Sequence, residues 1–126
     1  MFVVLSRQVL TLFSIIAISG LGGHAFGSFK ERGGEHMWLR DALPYDLNGN
    51  ISRIGVARVM VYGYDSSLPL SKSFQGLDDL ARSLYNSLKN VWGDSPKVRP
   101  TVFVAHSLGG LIVKEVGPLL IPSALG

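Results

Sequence analysis

Apolar positions along the chain recur with two periods, and their alternation outlines the fold. Short runs dominated by apolar residues mark buried strands. One lies within residues 1–18, a second is Ala57-Arg58-Val59-Met60-Val61-Tyr62, and a third is Thr101-Val102-Phe103-Val104-Ala105, entered through Pro100. Helical spacing is clearest from Gly76 to Trp92. There Leu77, Leu80, Ala81, Leu84, Tyr85, Leu88, Val91 and Trp92 recur at intervals of three and four. Asp78 and Asp79 suit the positive end of that helix, Lys89 suits the other end, and Gly93 is a natural stop. A shorter helix is predicted from Glu35 to Leu43, with Trp38, Leu39, Ala42 and Leu43 on one face and Pro44 ending it. Tyr45 to Arg53 reads as a loop built on Asp46, Asn48, Gly49 and Asn50, and Tyr64 to Ser67 as another. A last helix follows Ser107 and is expected to break at Gly117-Pro118. Strands alternating with helices predict an α/β class, with a parallel sheet of about three strands flanked by helices.

The pattern is organised around one junction. The strand 101–105 runs through His106-Ser107-Leu108-Gly109-Gly110 into Leu111-Ile112-Val113-Lys114, a strand, a sharp turn and a helix. A single serine stands in the turn between residues of little bulk. That is the context of a nucleophile elbow, G-x-S-x-G, in which the turn strains the serine backbone and small residues are needed two positions either side. Here those residues are Ala105, a methyl larger than the usual Gly, and Gly109, while Gly110 is expected to let the helix approach its strand. Ser107 is the candidate nucleophile, and the Leu108 N–H supplies half of an oxyanion hole. The plainer alternative is a serine capping an ordinary helix.

Ser19-Gly20-Leu21-Gly22-Gly23-His24 is a second candidate element. Glycines let a backbone N–H face a site unobstructed, and the second oxyanion donor of such hydrolases comes from a loop after an early strand. Leu21 N–H takes that role, with Gly20 and Gly22 supporting it. Residues 1–18 admit three readings. They are a secretory signal with Arg7 as its charged region, a membrane anchor short of the roughly 20 apolar residues a span requires, or a buried parallel strand feeding the glycine loop. The strand is preferred because the loop needs one. Cleavage near Ala25 would remove both, so the readings exclude each other.

Composition narrows the classes. The 126 residues are 47% hydrophobic and 17% charged, so the chain can bury a core. A whole hydrolase domain of this type needs roughly 200 residues or more, and the shortfall lies after the elbow. Net charge is +3 with scattered basic residues, which argues against nucleic-acid binding. The absence of cysteine excludes thiol catalysis, disulfides and cysteine-based zinc sites. The chemistry considered needs no cofactor and no metal.

A serine nucleophile needs a base and an acid that orients it. His106 adjoins Ser107, and neighbours along a tight turn diverge, so packing or a local hydrogen bond is its expected role. His24 is placed to line a pocket, and His36 to meet solvent. In this fold the acid and then the histidine follow the serine. Only Glu115 is acidic after Ser107, two turns along the helix, and no histidine follows. Asp65, at a strand end, is read as a loop or pocket residue.

From Ile18 to Val116 the chain resembles lipase-like serine α/β-hydrolases related to the serine active site-containing protein and to GPI inositol-deacylase-type lipases. Four blocks carry the resemblance. They are Ser19-Gly20-Leu21-Gly22-Gly23-His24, then Trp38-Leu39-Arg40-Asp41-Ala42-Leu43-Pro44, then Tyr62-Gly63-Tyr64, and Ala105-His106-Ser107-Leu108-Gly109-Gly110-Leu111-Ile112-Val113-Lys114. Ser19 replaces a loop His and Ala105 an elbow Gly. The resemblance implies a partial α/β-hydrolase fold, truncated after the elbow helix, and an ester hydrolase acting on lipid or acyl-ester substrates. It implies Ser107 as nucleophile and Leu108 and Leu21 as oxyanion donors. On this reading residues 1–18 are an apolar segment, 19–116 the N-terminal half of the domain, and 117–126 a divergent tail. Such a piece is expected to be inactive or nearly so by itself. The missing half or fused domains of a parent protein are then its partners, with membrane contact through 1–18 open, and an intracellular or membrane-associated location is favoured over secretion. The competing readings are a non-catalytic module that binds lipid or protein, and a membrane-anchored pseudo-hydrolase.

Overall fold

The computed structural model describes residues 1–6, 13–20, 22–48, 57–65, 73–93 and 100–120. Four strands form one mixed sheet: β1 (Phe2–Ser6), β2 (Phe13–Ile18), β3 (Ala57–Tyr62) and β4 (Thr101–Ala105). Their spatial order is β1-β3-β2-β4. β3 and β4 both run parallel to β2, in register Ile18 with Tyr62 and Ile18 with Ala105, while β1 lies antiparallel on β3. The three parallel strands are those expected. The apolar N-terminal stretch, however, supplies two strands rather than one, because β1 caps the open edge of β3. No described helix is long and apolar enough to cross a membrane.

Side-chain alternation explains why β2 reads as an unbroken apolar run. Ile16 and Ile18 point to one face, Ile15 and Ala17 to the other, and all four are buried. On the first face they meet Met60 and Tyr62 of β3 and the helices α3 (Ser73–Trp92) and α4 (Leu108–Leu120). All eight α3 residues expected on its apolar face pack into this cluster, with Ala81, Leu84 and Leu88 fully buried. Gly93, at φ +62, ends α3 by giving its N–H to the Lys89 carbonyl at 3.0 Å, a turn only glycine adopts cheaply. On the second face Ile15, Ala17, Val59 and Val61 are covered by Met37, Leu39 and the segment from Ala25 to Phe29.

The covering segment differs from the helix expected over 35–43. It forms two short helices, α1 (Trp38–Asp41) and α2 (Leu43–Asn48). Residues 35–37 stay extended because Glu31 N–H bonds the His36 carbonyl at 2.7 Å and Lys30 bridges to Met37. The Asp41 carboxylate then accepts the Met37 N–H at 2.8 Å, fixing the start of α1. Pro44 does not stop a helix. It is the second residue of α2, where a missing N–H costs nothing, and the stretch 45–48 expected as loop is helical. Trp38 is 39% exposed, so the apolar face of α1 rests on Leu39.

Gly117-Pro118 likewise fails to end α4, which continues to Leu120. Pro118 removes one hydrogen bond in the final turn, and buried Ile112 and Val116 hold the helix to the sheet. The expected loop over 49–53, Ser66-Ser67, residues 9–12 of the apolar segment and the tail 121–126 lie outside the described residues.

Candidate active site around Ser107

Parallel pairing brings the ends of β2 and β4 side by side. The register continues one residue beyond β4, where His106 N–H bonds the Ile18 carbonyl at 3.1 Å. The chain then reverses. Ser107 has φ +54, and it is the one non-glycine residue with positive φ among the described residues. That conformation costs a β-carbon-bearing residue on the order of 1 kcal/mol or more. Gly109 N–H turns back to the His106 carbonyl at 3.0 Å and Gly110 N–H to the Ser107 carbonyl at 2.9 Å, which starts α4.

This geometry is not that of a capping serine. A capping residue keeps extended backbone angles and its side-chain oxygen takes the N–H of the second or third helical residue. Here both N–H groups are taken by main-chain carbonyls, and no partner of Ser107 Oγ lies among the described residues. The Ser107 side chain belongs to an exposed residue at the mouth of α4. Leu108 N–H, the first of the helix, has no main-chain acceptor among the described residues. Its side chain is buried in the α3–α4 cluster, so the N–H is held in place.

Glycine is required at two positions here. A Cβ on Gly109 would lie 2.6 Å from the Ile18 carbonyl oxygen and 2.8 Å from that of Ser19, so α4 rests directly on the end of β2. A Cβ on Gly20 would lie 2.9 Å from Ser107 Cβ and 3.0 Å from His106 Nδ1. The glycine loop therefore touches the elbow. Gly110 differs from expectation: nothing lies within 4 Å of its Cβ position, so the close approach is made at Gly109 alone. Ala105 is exposed at the end of β4, where its methyl is accommodated.

The loop itself is pinned. Gly23 N–H bonds the Gly20 carbonyl at 3.0 Å, with Gly22 at φ +66 between them. Ser19 is buried, and its carbonyl accepts the Tyr64 hydroxyl at 2.6 Å. Burial pushes the Tyr64 phenol up from its ordinary value, so it remains a proton donor. Leu21, the expected second oxyanion donor, lies outside the described residues.

The other titratable candidates are dispersed. The His106 ring faces Gly20 and does not bond Ser107 Oγ. His24 Nδ1 accepts the Gly27 N–H at 3.1 Å, and the residue lines a cleft of about 510 Å³ with Phe26, Tyr64 and Asp65. His36 is exposed, 3.8 Å from Asp41, and Glu115 is exposed on α4. A smaller hollow of about 290 Å³ opens beside the elbow, lined by Gly20, Gly23, Ser28, Arg32 and His106. Sequence reading singled out neither Ser28 nor Arg32, and gave Tyr64 no role, because each reaches the site across loops that carry no periodic signal.

Comparison of the chain with protein-family models, curated proteins and solved structures finds no match.

Proposed function

We propose that this chain is the nucleophile-bearing part of a serine ester hydrolase. The observation that carries the reading is Ser107, exposed in a left-handed turn between β4 and α4, beside an unbonded Leu108 N–H and against Gly20. The reading implies that Ser107 Oγ attacks an ester carbonyl carbon while its proton passes to a base. The carbonyl oxygen takes up the displaced electron pair and is met by Leu108 N–H. The alcohol leaves with a proton returned by the base, and water then hydrolyses the acyl-serine. The base and its acid come from residues of a longer parent or from a partner, since His24, His36 and His106 do not bond Ser107. Three of the four blocks that resemble lipase-like α/β-hydrolases meet at the C-terminal edge of the sheet, where open α/β sheets place their ligand sites; the lipid or acyl-ester substrate is what the resemblance itself implies. A fluorophosphonate probe tests the reading. The longest chain its transcript encodes should be labelled rapidly at Ser107, and the 126-residue chain slowly. Absence of label at Ser107 in both overturns it.

One observation favours a binding module instead. Among the described strands β4 pairs only with β2, and Val102 on it is 49% exposed. An open edge of that kind pairs with other chains. Concentration-dependent sedimentation with no labelling of Ser107 would favour that reading.

A further inference from the structure

Arg32 differs from the ion-paired arginines Arg40 and Arg82. Arg40 is held by Asp41 at 2.7 Å and Arg82 by Asp78 at 2.8 Å. Arg32 has no carboxylate partner among the described residues, yet it lines the hollow beside the elbow. With it are the Ser28 hydroxyl and the His106 imidazole, and no carboxylate among the described residues contributes to the wall. The wall glycine Gly20 touches Ser107, so a ligand in the hollow sits next to the nucleophile. Opposing carboxylates normally neutralise an arginine, and its planar donors match phosphate and carboxylate oxygens in pairs.

We infer that this hollow receives an anionic group, and that the ester processed at Ser107 carries a phosphate or carboxylate close to the scissile bond. The ester rests on the hydrolase reading, whereas the anion rests on the hollow alone. Arg32 supplies the charge, Ser28 and His106 supply hydrogen bonds, and Gly20 and Gly23 keep the floor bare of side chains.

Ligands without an ester separate the two claims. Binding of n-butyl phosphate, pentanoate and the neutral pentanamide to the intact chain is followed by NMR titration at low salt. The anions should bind about tenfold more tightly than pentanamide, as expected for a hydrogen bond to a charged group. Arg32→Gln should abolish the preference, Arg32→Lys should keep part of it, and added salt should weaken it. Arg32 is exposed, so these variants keep the fold. Tighter binding of butyl phosphate identifies a phosphate source, and of pentanoate a carboxylate source. The preferred anion should also slow fluorophosphonate labelling of Ser107 in the parent chain but not in Arg32→Gln. Equal binding of pentanoate and pentanamide, or unchanged anion binding in Arg32→Gln, overturns the inference. Arg32-dependent binding without any labelling of Ser107 leaves the anion site standing and removes the hydrolase. Labelling without anion preference does the reverse.

Discussion

Two adjacent glycines in α4 should respond oppositely to the same substitution. Alanine at position 109 places a Cβ 2.6 Å from the Ile18 carbonyl oxygen, 2.8 Å from that of Ser19 and 3.0 Å from Ile18 Cγ2. Ordinary contact begins at 3.4 Å, so α4 has to retreat by about 0.8 Å. The two nearest obstacles are main-chain oxygens of Ile18, which ends β2, and of Ser19, both buried residues, and they have nowhere to go. Overpacking of this kind costs roughly 1–3 kcal/mol. Alanine's helix preference returns at most about 1 kcal/mol, and less near a helix start. Gly109→Ala should therefore lose about 1–2 kcal/mol. Gly110→Ala meets nothing within 4 Å and should gain about 0.5–1 kcal/mol. Urea unfolding reads both as midpoint shifts of opposite sign, each on the order of 0.5 M with unchanged slope. The retreat of α4 also shifts the Ser107–Leu108 turn relative to the Gly20 loop it abuts, so Gly109→Ala should slow fluorophosphonate labelling, while Gly110→Ala should not. A Gly109→Ala protein as stable as the parent would refute the close approach of α4 to β2.

Three further outcomes follow from the same geometry. Gly20→Ala pushes on Ser107 Cβ and His106 and should slow labelling of Ser107 about tenfold, since misplacement of reacting groups is felt steeply; labelling at the unsubstituted rate with an unchanged urea midpoint would contradict the contact. Ser107→Gly should abolish labelling yet leave stability unchanged or raised by up to about 1 kcal/mol, because glycine accepts φ +54 without strain; thermal unfolding measures it, and a marked loss of stability would argue for a structural serine. The Arg40 guanidinium and the Met37 N–H hold the Asp41 carboxyl well below the usual carboxylate range. Its contribution is thus present above the unfolded value of about 4 and lost as pH falls through the lower folded value. The melting temperature of the parent should exceed that of Asp41→Asn at neutral pH, and the gap should close in strong acid. A gap that does not change with pH would contradict this.

Much of the α/β frame was legible because its signals are periodic. α3 shows all eight of its buried-face residues in the spacing of the sequence, and β3 and β4 show as runs bounded by polar turns. The elements misread depend on contacts that spacing does not encode. Pro44 reads as a stop until its place within α2 is seen, and residues 35–37 stay extended only because Glu31 and Lys30 pair across to them. β1 could not be separated from β2, since an antiparallel edge strand and a parallel central one can both be continuous apolar runs.

The site divides along the same line. The elbow is local, so its serine and the glycine two positions on can be read from five residues, and the structure distinguishes a strained turn from a helix cap by Ser107 φ and the N–H groups already spent on carbonyls. Which glycine bears the packing was not local. The motif spacing asks for a small residue at Gly109, yet the approach of helix to strand was expected at Gly110, and the direction each faces, toward the Ile18 carbonyl or toward open space, assigns it to Gly109. The surroundings of Ser107 are less local still. Tyr64 reaches Ser19 across 45 residues, and Arg32 joins His106 from the connection between β2 and β3. Such residues set what a nucleophile can bind, while the elbow sets only that it can attack. A short motif therefore points toward reaction type sooner than toward substrate, and under the proposed hydrolase reading the substrate question turns on Arg32.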